Sequence, residues 1–146
     1  VRAEPGTYIV VIDNDRSAQL TCGRLGSIDF AVGRYFYIGS AFGPGGIRAR
    51  VGRHARTDKK THWHIDYFTF VARVRGAWIC YEPVRHEHDW AGQFAATNAF
   101  GAIPGFGCSD CNCPSHLFFS TGNPPSDLSL PDSVVYWSND ETLSSV

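Results

Sequence analysis

The chain has no methionine, not even at position 1, which implies a trimmed start. It has no long apolar run either. The strongest, Tyr8 to Ile12, is strand length and far short of the ~20 residues a membrane helix needs. No basic segment followed by an apolar stretch opens the chain, so no secretory leader is expected. Charge is sparse, at 18% of residues and a formal net of −1, against 43% hydrophobic residues. That balance excludes wholesale disorder, and 146 residues suffice for one packed domain. There is no internal repeat. Cysteine is few and odd in number, five in all, with Cys108, Cys111 and Cys113 crowded together. Cys111 and Cys113 are too close to pair comfortably. Without a leader a disulfide framework is not expected; a reducing, cytoplasmic setting with metal-binding or free thiols fits better.

A net charge near zero speaks against a polyanionic partner, but the average conceals a split. Residues 1–33 sum to −1, residues 34–75 to +7 and residues 76–146 to −7. The cations are mostly arginine, whose planar fork matches phosphate oxygens two at a time. The alternative is an ordinary solvated basic helix.

Thr7 to Ile12 is β-branched and aromatic between Pro5-Gly6 and Asp13-Asn14-Asp15, and reads as a buried strand. Ala18 to Cys22 reads as a weak strand, and Asp29 to Ser40 as another, interrupted near Gly33. After the breaker Ala41 to Gly46, apolar positions 47, 51 and 55 recur every four residues among Arg48, Arg50, Arg53, His54 and Arg56, which predicts an amphipathic basic helix over 47–56. His62 to Glu82 reads as two strands in a hairpin. In that reading His62, His64 and Asp66 share one face towards the basic helix, for phosphate contact, proton relay, metal binding or a polar network around His54. His86 to Thr97 reads as a second helix, Phe100 to Ser115 as an irregular loop and Leu117 to Phe119 as a closing strand. The expected class is α+β: a small mixed or antiparallel sheet flanked by helices, with an extra N-terminal hairpin and a Cys/His-rich C-terminal loop. Residues 1–120 would form the domain and 121–146 a Pro/Ser/Asp-rich tail, with Val134 to Trp137 able to dock.

Three groups of residues carry chemistry. Gly6-Thr7-Tyr8 and Tyr37-Ile38-Gly39 lie on two strands ahead of the basic helix. Cys108-x2-Cys111-x-Cys113-x2-His116 offers four soft or borderline ligands within nine residues, a set that suits zinc, with His62, His64 or Asp66 as substitutes. Buried reduced thiols are the alternative. Ser40 to Gly46 could offer backbone N–H groups to a phosphate at a helix N-terminus, or simply connect two elements.

The two tripeptides resemble the GIY-YIG nuclease superfamily, with Thr7 in place of Ile. The segments 35–46 (YFYIGSAFGPGG), 53–56 (RHAR), 62–67 (HWHIDY) and 106–118 (FGCSDCNCPSHLF) resemble its DUF123, or Uri, branch. The 29-residue step from Tyr8 to Tyr37 is longer than usual in the superfamily and is assigned to an extra hairpin at 14–33. The resemblance implies a metal-dependent DNA endonuclease leaving 5′-phosphate and 3′-hydroxyl ends. Tyr8 and Tyr37 take the tyrosine roles, with the base unassigned between them. Arg50 (or Arg48) would stabilise the transition state, and His54 would assist. Glu87 (alternatively Glu82), with Asp89 two residues on, would hold Mg²⁺ or Mn²⁺. A free tyrosine titrates at about 10, so a tyrosine base needs neighbouring cations to favour its phenolate. Arg48, Arg53, Arg56, Lys59, Lys60, His62 and His64 are the expected DNA contacts. A chain this small would act on DNA structure or borrow specificity from a protein partner, and no membrane contact is expected. Two other readings stand beside it: a non-catalytic nucleic-acid-binding module, and a zinc-stabilised protein-interaction domain with an acidic C-terminal third.

Overall fold

A computed structural model describes residues 1–97, 99–108, 113–120 and 130–140. Its strands are β1 (Gly6–Asn14), β2 (Ala18–Thr21), β3 (Ser27–Phe30), β4 (Gly33–Ala41), β5 (Arg73–Cys80), β6 (Phe100–Ala102), β7 (Leu117–Ser120) and β8 (Val135–Ser138). Its helices are α1 (Gly46–Ala55), α2 (His64–Thr69) and α3 (Glu87–Ala95). Six strands form one sheet in the order β6-β7-β4-β1-β5-β8, and each of these pairings is antiparallel. β2 and β3 form a separate hairpin within the surplus between the two tyrosines. The class is α+β, as the sequence pattern implies.

The central strand explains the layering. Tyr8, Val10 and Ile12 of β1 face a cluster that includes Ile47 and Val51 of α1 and Ile65 and Phe68 of α2. The alternate residues Ile9 and Val11 face Trp90, Ala91 and Phe94 of α3. A strand covered on both faces reads as a continuous apolar run, and TYIVVI is one. Helices therefore lie on opposite sides of the sheet, α1 and α2 on one and α3 on the other.

Two expectations are corrected. Residues 62–69 are not a strand: α2 occupies 64–69, and only β5 follows. The cause is Asp66. Its Oδ2 accepts the backbone N–H groups of His62 (2.8 Å) and Trp63 (2.9 Å), which closes a first helical turn. The carboxylate turns inward with no exposure, so it shares no face with His62 and His64. Nor are the first amides of α1 open to a phosphate. Ile47 N–H donates to the Glu4 carbonyl (2.9 Å) and Arg48 N–H to that of Arg2 (3.2 Å). This close approach requires glycine at 46, where a Cβ would run into the Glu4 backbone.

Two smaller differences concern the sheet edges. Residues 100–102, within the expected irregular loop, pair with β7, and the segment 134–137 enters the sheet through β8 on β5. Residues 121–129 and 141–146 of the expected tail lie outside the described residues. No helix among the described residues is long and apolar enough to cross a membrane.

Candidate active site

β4 is longer than its neighbour β7. Pairing runs from Arg34 to Tyr37, and Ile38 N–H adds a bond to the His116 carbonyl (2.9 Å). Beyond that point Gly39–Ala41 pair with β1 on one side, and no strand among the described residues pairs with them on the other. Side chains from both faces of the sheet can therefore meet around this edge. A cleft of about 240 Å³ lies there, lined by Tyr8, Tyr37, Gly39, Ser40, Arg50, His54, His62, Trp63, His64, Glu87 and Gly107. Tyr8, Tyr37, Arg50, His54 and Glu87, spread over 80 positions of sequence, thus converge on one concave surface.

Tyr8 and Gly39 are cross-strand partners, and the Tyr8 hydroxyl occupies the space a Cβ at 39 would need. The tripeptide's glycine is therefore a steric requirement of the other tripeptide's tyrosine. The Tyr8 hydroxyl lies 2.8 Å from His54 Nε2, and the Arg50 guanidinium nearby favours its ionised form. Arginine can only donate, so the acceptor within reach of the Tyr8 proton is His54. We assign the His54 proton to Nδ1 on that basis. Burial, helped by Lys59, pushes His54 down to about 3, so it is neutral and able to accept. Burial also raises both tyrosines above the ordinary phenol range, more than Arg50 lowers them. The phenolate expected from the cationic neighbourhood is thus not the resting form. Tyr8 is buried and Tyr37 half-buried. Arg50 is braced by its Nη1 bond to the Ser40 carbonyl (3.1 Å) and by the Trp63 ring, 4.5 Å from its guanidinium carbon.

Glu87 opens α3 and reaches the cleft from the other side of the sheet. Its Oε1 accepts from Ser40 Oγ (2.6 Å), and its Oε2 lies 2.7 Å from His116 Nδ1. Burial alone would raise its pKa, but the His116 and Ser40 hydrogen bonds outweigh it and hold the carboxyl below its usual value. Glu82 is placed elsewhere, bonded to His86 and Ser133, and Asp89 pairs with Gln93 on the surface of α3. Neither lines the cleft. Glu87 is the acid that does, and a hard divalent ion that keeps several waters needs only one or two carboxylates. The donor set therefore fits Mg²⁺ or Mn²⁺.

The expected DNA contacts divide. Arg48, Arg56 and Lys60 are exposed, and His62 and His64 form the cleft wall, with His64 Nδ1 accepting the Gly107 N–H (3.0 Å). Lys59 is not available to a phosphate. Its side chain is 1% exposed, and its Nζ donates to the Arg53 and His54 carbonyls at the end of α1 and to Thr69. It caps the helix against its dipole. Arg53 is also turned inward, 2.7 Å from Asp66 Oδ2.

The cysteine-histidine set divides as well. Cys113 and His116 each place a ligand atom within 4.8 Å of one another and of His88 on α3. Cys108 is not in that group; its thiol donates to the Phe106 carbonyl, and it lines a separate hollow with Arg24 and Tyr67. Cys111 lies outside the described residues. The sequence assigns no side-chain role in the site to Ser40, Trp63, Gly107 and His88. Ser40 and Trp63 lie inside motifs that were recognised, but only packing shows that they face the cleft.

A family model described as a domain of unknown function, DUF123, matches residues 7–132. No curated protein and no solved structure matches the chain significantly. The match spans Thr7-Tyr8, the Tyr37-Ile38-Gly39 tripeptide, the basic helix, Glu87 and the Cys/His segment, and the chain belongs to the DUF123 family.

Proposed function

We propose that the protein is a metal-dependent DNA endonuclease of the GIY-YIG type. The observation that carries this reading is the meeting of Tyr8, Tyr37, Arg50, His54 and Glu87 in one polar cleft, from opposite sides of the sheet. Phosphodiester hydrolysis needs a base for water, a cation for the developing phosphorane charge and help for the leaving oxygen. Tyr8 is the tyrosine with a proton acceptor behind it. As it takes a proton from the attacking water, it releases its own to His54 Nε2. Burial disfavours a resting imidazolium, so that proton is held only while charge develops at the phosphate. Tyr37, nearer the opening, orients the water or the phosphate. Arg50, fixed by Ser40 and Trp63, meets the non-bridging oxygens. Glu87, ionised and held by Ser40 and His116, would bind the divalent ion, which when bound supplies Lewis acidity to the leaving 3′ oxygen. The exposed Arg48, Arg56 and Lys60 would contact the flanking backbone. Specificity for DNA structure, or a protein partner, would complete target choice in the cytoplasm.

The test is incubation with plasmid, single-stranded and branched DNA, with and without Mg²⁺ or Mn²⁺. Metal-dependent cleavage is expected, falling by about 10²-fold or more in Tyr8→Phe, Arg50→Ala and Glu87→Ala. Binding without cleavage in either metal would leave a non-catalytic module instead.

A further inference from the structure

We propose that His88, Cys113 and His116 form a second metal site, for a zinc-class ion, and that this ion orients Glu87 through His116. The three residues come from two places, the first turn of α3 and the segment leading into β7. One ligand atom from each lies within 4.8 Å of the others. Zinc bonds of about 2.0–2.3 Å in a tetrahedral site separate ligand atoms by roughly 3.3–3.8 Å. Closing the remaining gap takes a side-chain rotation of about 1 Å, which exposed His88 can make at the surface of α3. A thiolate with two imidazoles is a borderline-soft set that prefers zinc to magnesium. The hard ion at Glu87 and the soft ion here therefore do not compete for ligands.

The link between the two sites is the His116 ring, 1% exposed. Its Nδ1 lies 2.7 Å from Glu87 Oε2, which in this proposal leaves Nε2 to hold the ion. Metal-bound histidines commonly donate their other N–H to a carboxylate, which fixes the tautomer and the ring. Here the carboxylate on the far side of the ring is Glu87. An ion on Nε2 commits the Nδ1 proton to Oε2 and so fixes Glu87 at the cleft. This ligand set departs from the spacing-based one: His88 enters and Cys108 leaves. Cys111 lies outside the described residues and is no part of the set.

Zinc binding stands independently of the nuclease reading; its effect on Glu87 as a hard-ion ligand rests on that reading. The full chain is analysed for zinc content and then reloaded with Co²⁺. One ion per chain and a thiolate-to-cobalt charge-transfer band are expected. Affinity should fall by about tenfold or more in His88→Ala and Cys113→Ser and stay unchanged in Cys108→Ser. His88 is exposed, so His88→Ala keeps its circular dichroism spectrum even if Cys113→Ser fails to fold. No zinc and no band in the wild type would overturn the proposal, as would loss in Cys108→Ser with retention in His88→Ala. For the coupling, Mn²⁺ binding followed by paramagnetic resonance should weaken about tenfold when zinc is stripped. Unchanged Mn²⁺ affinity overturns the coupling. Zinc-dependent Mn²⁺ binding without DNA cleavage sustains the proposal and overturns the nuclease reading alone.

Discussion

At residue 39 the side chain matters by being absent. The Tyr8 hydroxyl and ring fill the volume a Cβ would take, so Gly39→Ala must push Tyr8 off Arg50 and His54. Cleavage should fall by about 10²-fold in Gly39→Ala while circular dichroism stays native, because β4 is otherwise intact. A fully active Gly39→Ala would remove Tyr8 from the mechanism. His54 supplies a pH signature. Its folded value of about 3 lies below the ordinary 6.5 of a free histidine. Between those values the unfolded chain binds a proton that the folded chain refuses, so stability is fully present above pH 6.5 and falls as pH drops towards 3. At full effect the slope is one proton, about 1.4 kcal/mol per pH unit. Urea midpoints measured from pH 7 to 4 should show this slope, and His54→Gln should flatten it.

Among the elements, α2 shows where sequence pattern and structure part. The alternation of His62 to Tyr67 has the period of a strand, and nothing local contradicts it. A carboxylate that closes the first turn and is neutralised from α1 and the turn after it decides otherwise: Asp66 Oδ2 is 2.7 Å from Arg53 and Oδ1 is 3.7 Å from Lys59. Those partners are 7 and 13 residues back, across a turn that the alternation of residues 62–67 does not include. Asp66→Ala would leave two amides without their acceptor and both cations without their counter-charge, at a cost of about 3–5 kcal/mol. Chemical denaturation is the measure, and a change under 1 kcal/mol would mean that α2 is held by packing alone. The helices α1 and α3, whose apolar residues recur at helical spacing, were legible because their signal is local. β8 was legible only as an apolar patch in a polar stretch. Its Trp137 is 1% exposed and packs into the cluster around β1, so Trp137→Ala should cost about 3–5 kcal/mol. One cooperative unfolding transition in that variant would show that β8 belongs to the same unit as the cleft.

For the molecule as a whole, the near-zero net charge resolves into a small basic surface on an acidic body. Two of the cations expected to face DNA, Arg53 and Lys59, are consumed inside. With Arg48, Arg56, Lys60 and Arg50 left, three or four phosphates would be neutralised, which gives a log–log salt slope of about −3 to −4. DNA binding to the Glu87→Ala protein, measured across salt concentrations, should return that slope, and Arg48→Ala should reduce it by about one. A slope near −7 would mean that the whole basic segment contacts DNA.

The sequence by itself determined the class of fold, the central strand, both longer helices, the hairpin between the tyrosines and most residues of the cleft. The elements rest on local period or a breaker, and the cleft residues on the resemblance carried by motifs spread along the chain. Only the tertiary structure decided that β4 outruns β7, so that Glu87 reaches the two tyrosines around the sheet's edge. It also turned Lys59 and Arg53 inward and exchanged Cys108 for His88 beside Cys113 and His116. Those outcomes depend on strand length relative to a neighbour and on charge partners brought close by folding, and neither quantity is written in the order of residues along one segment.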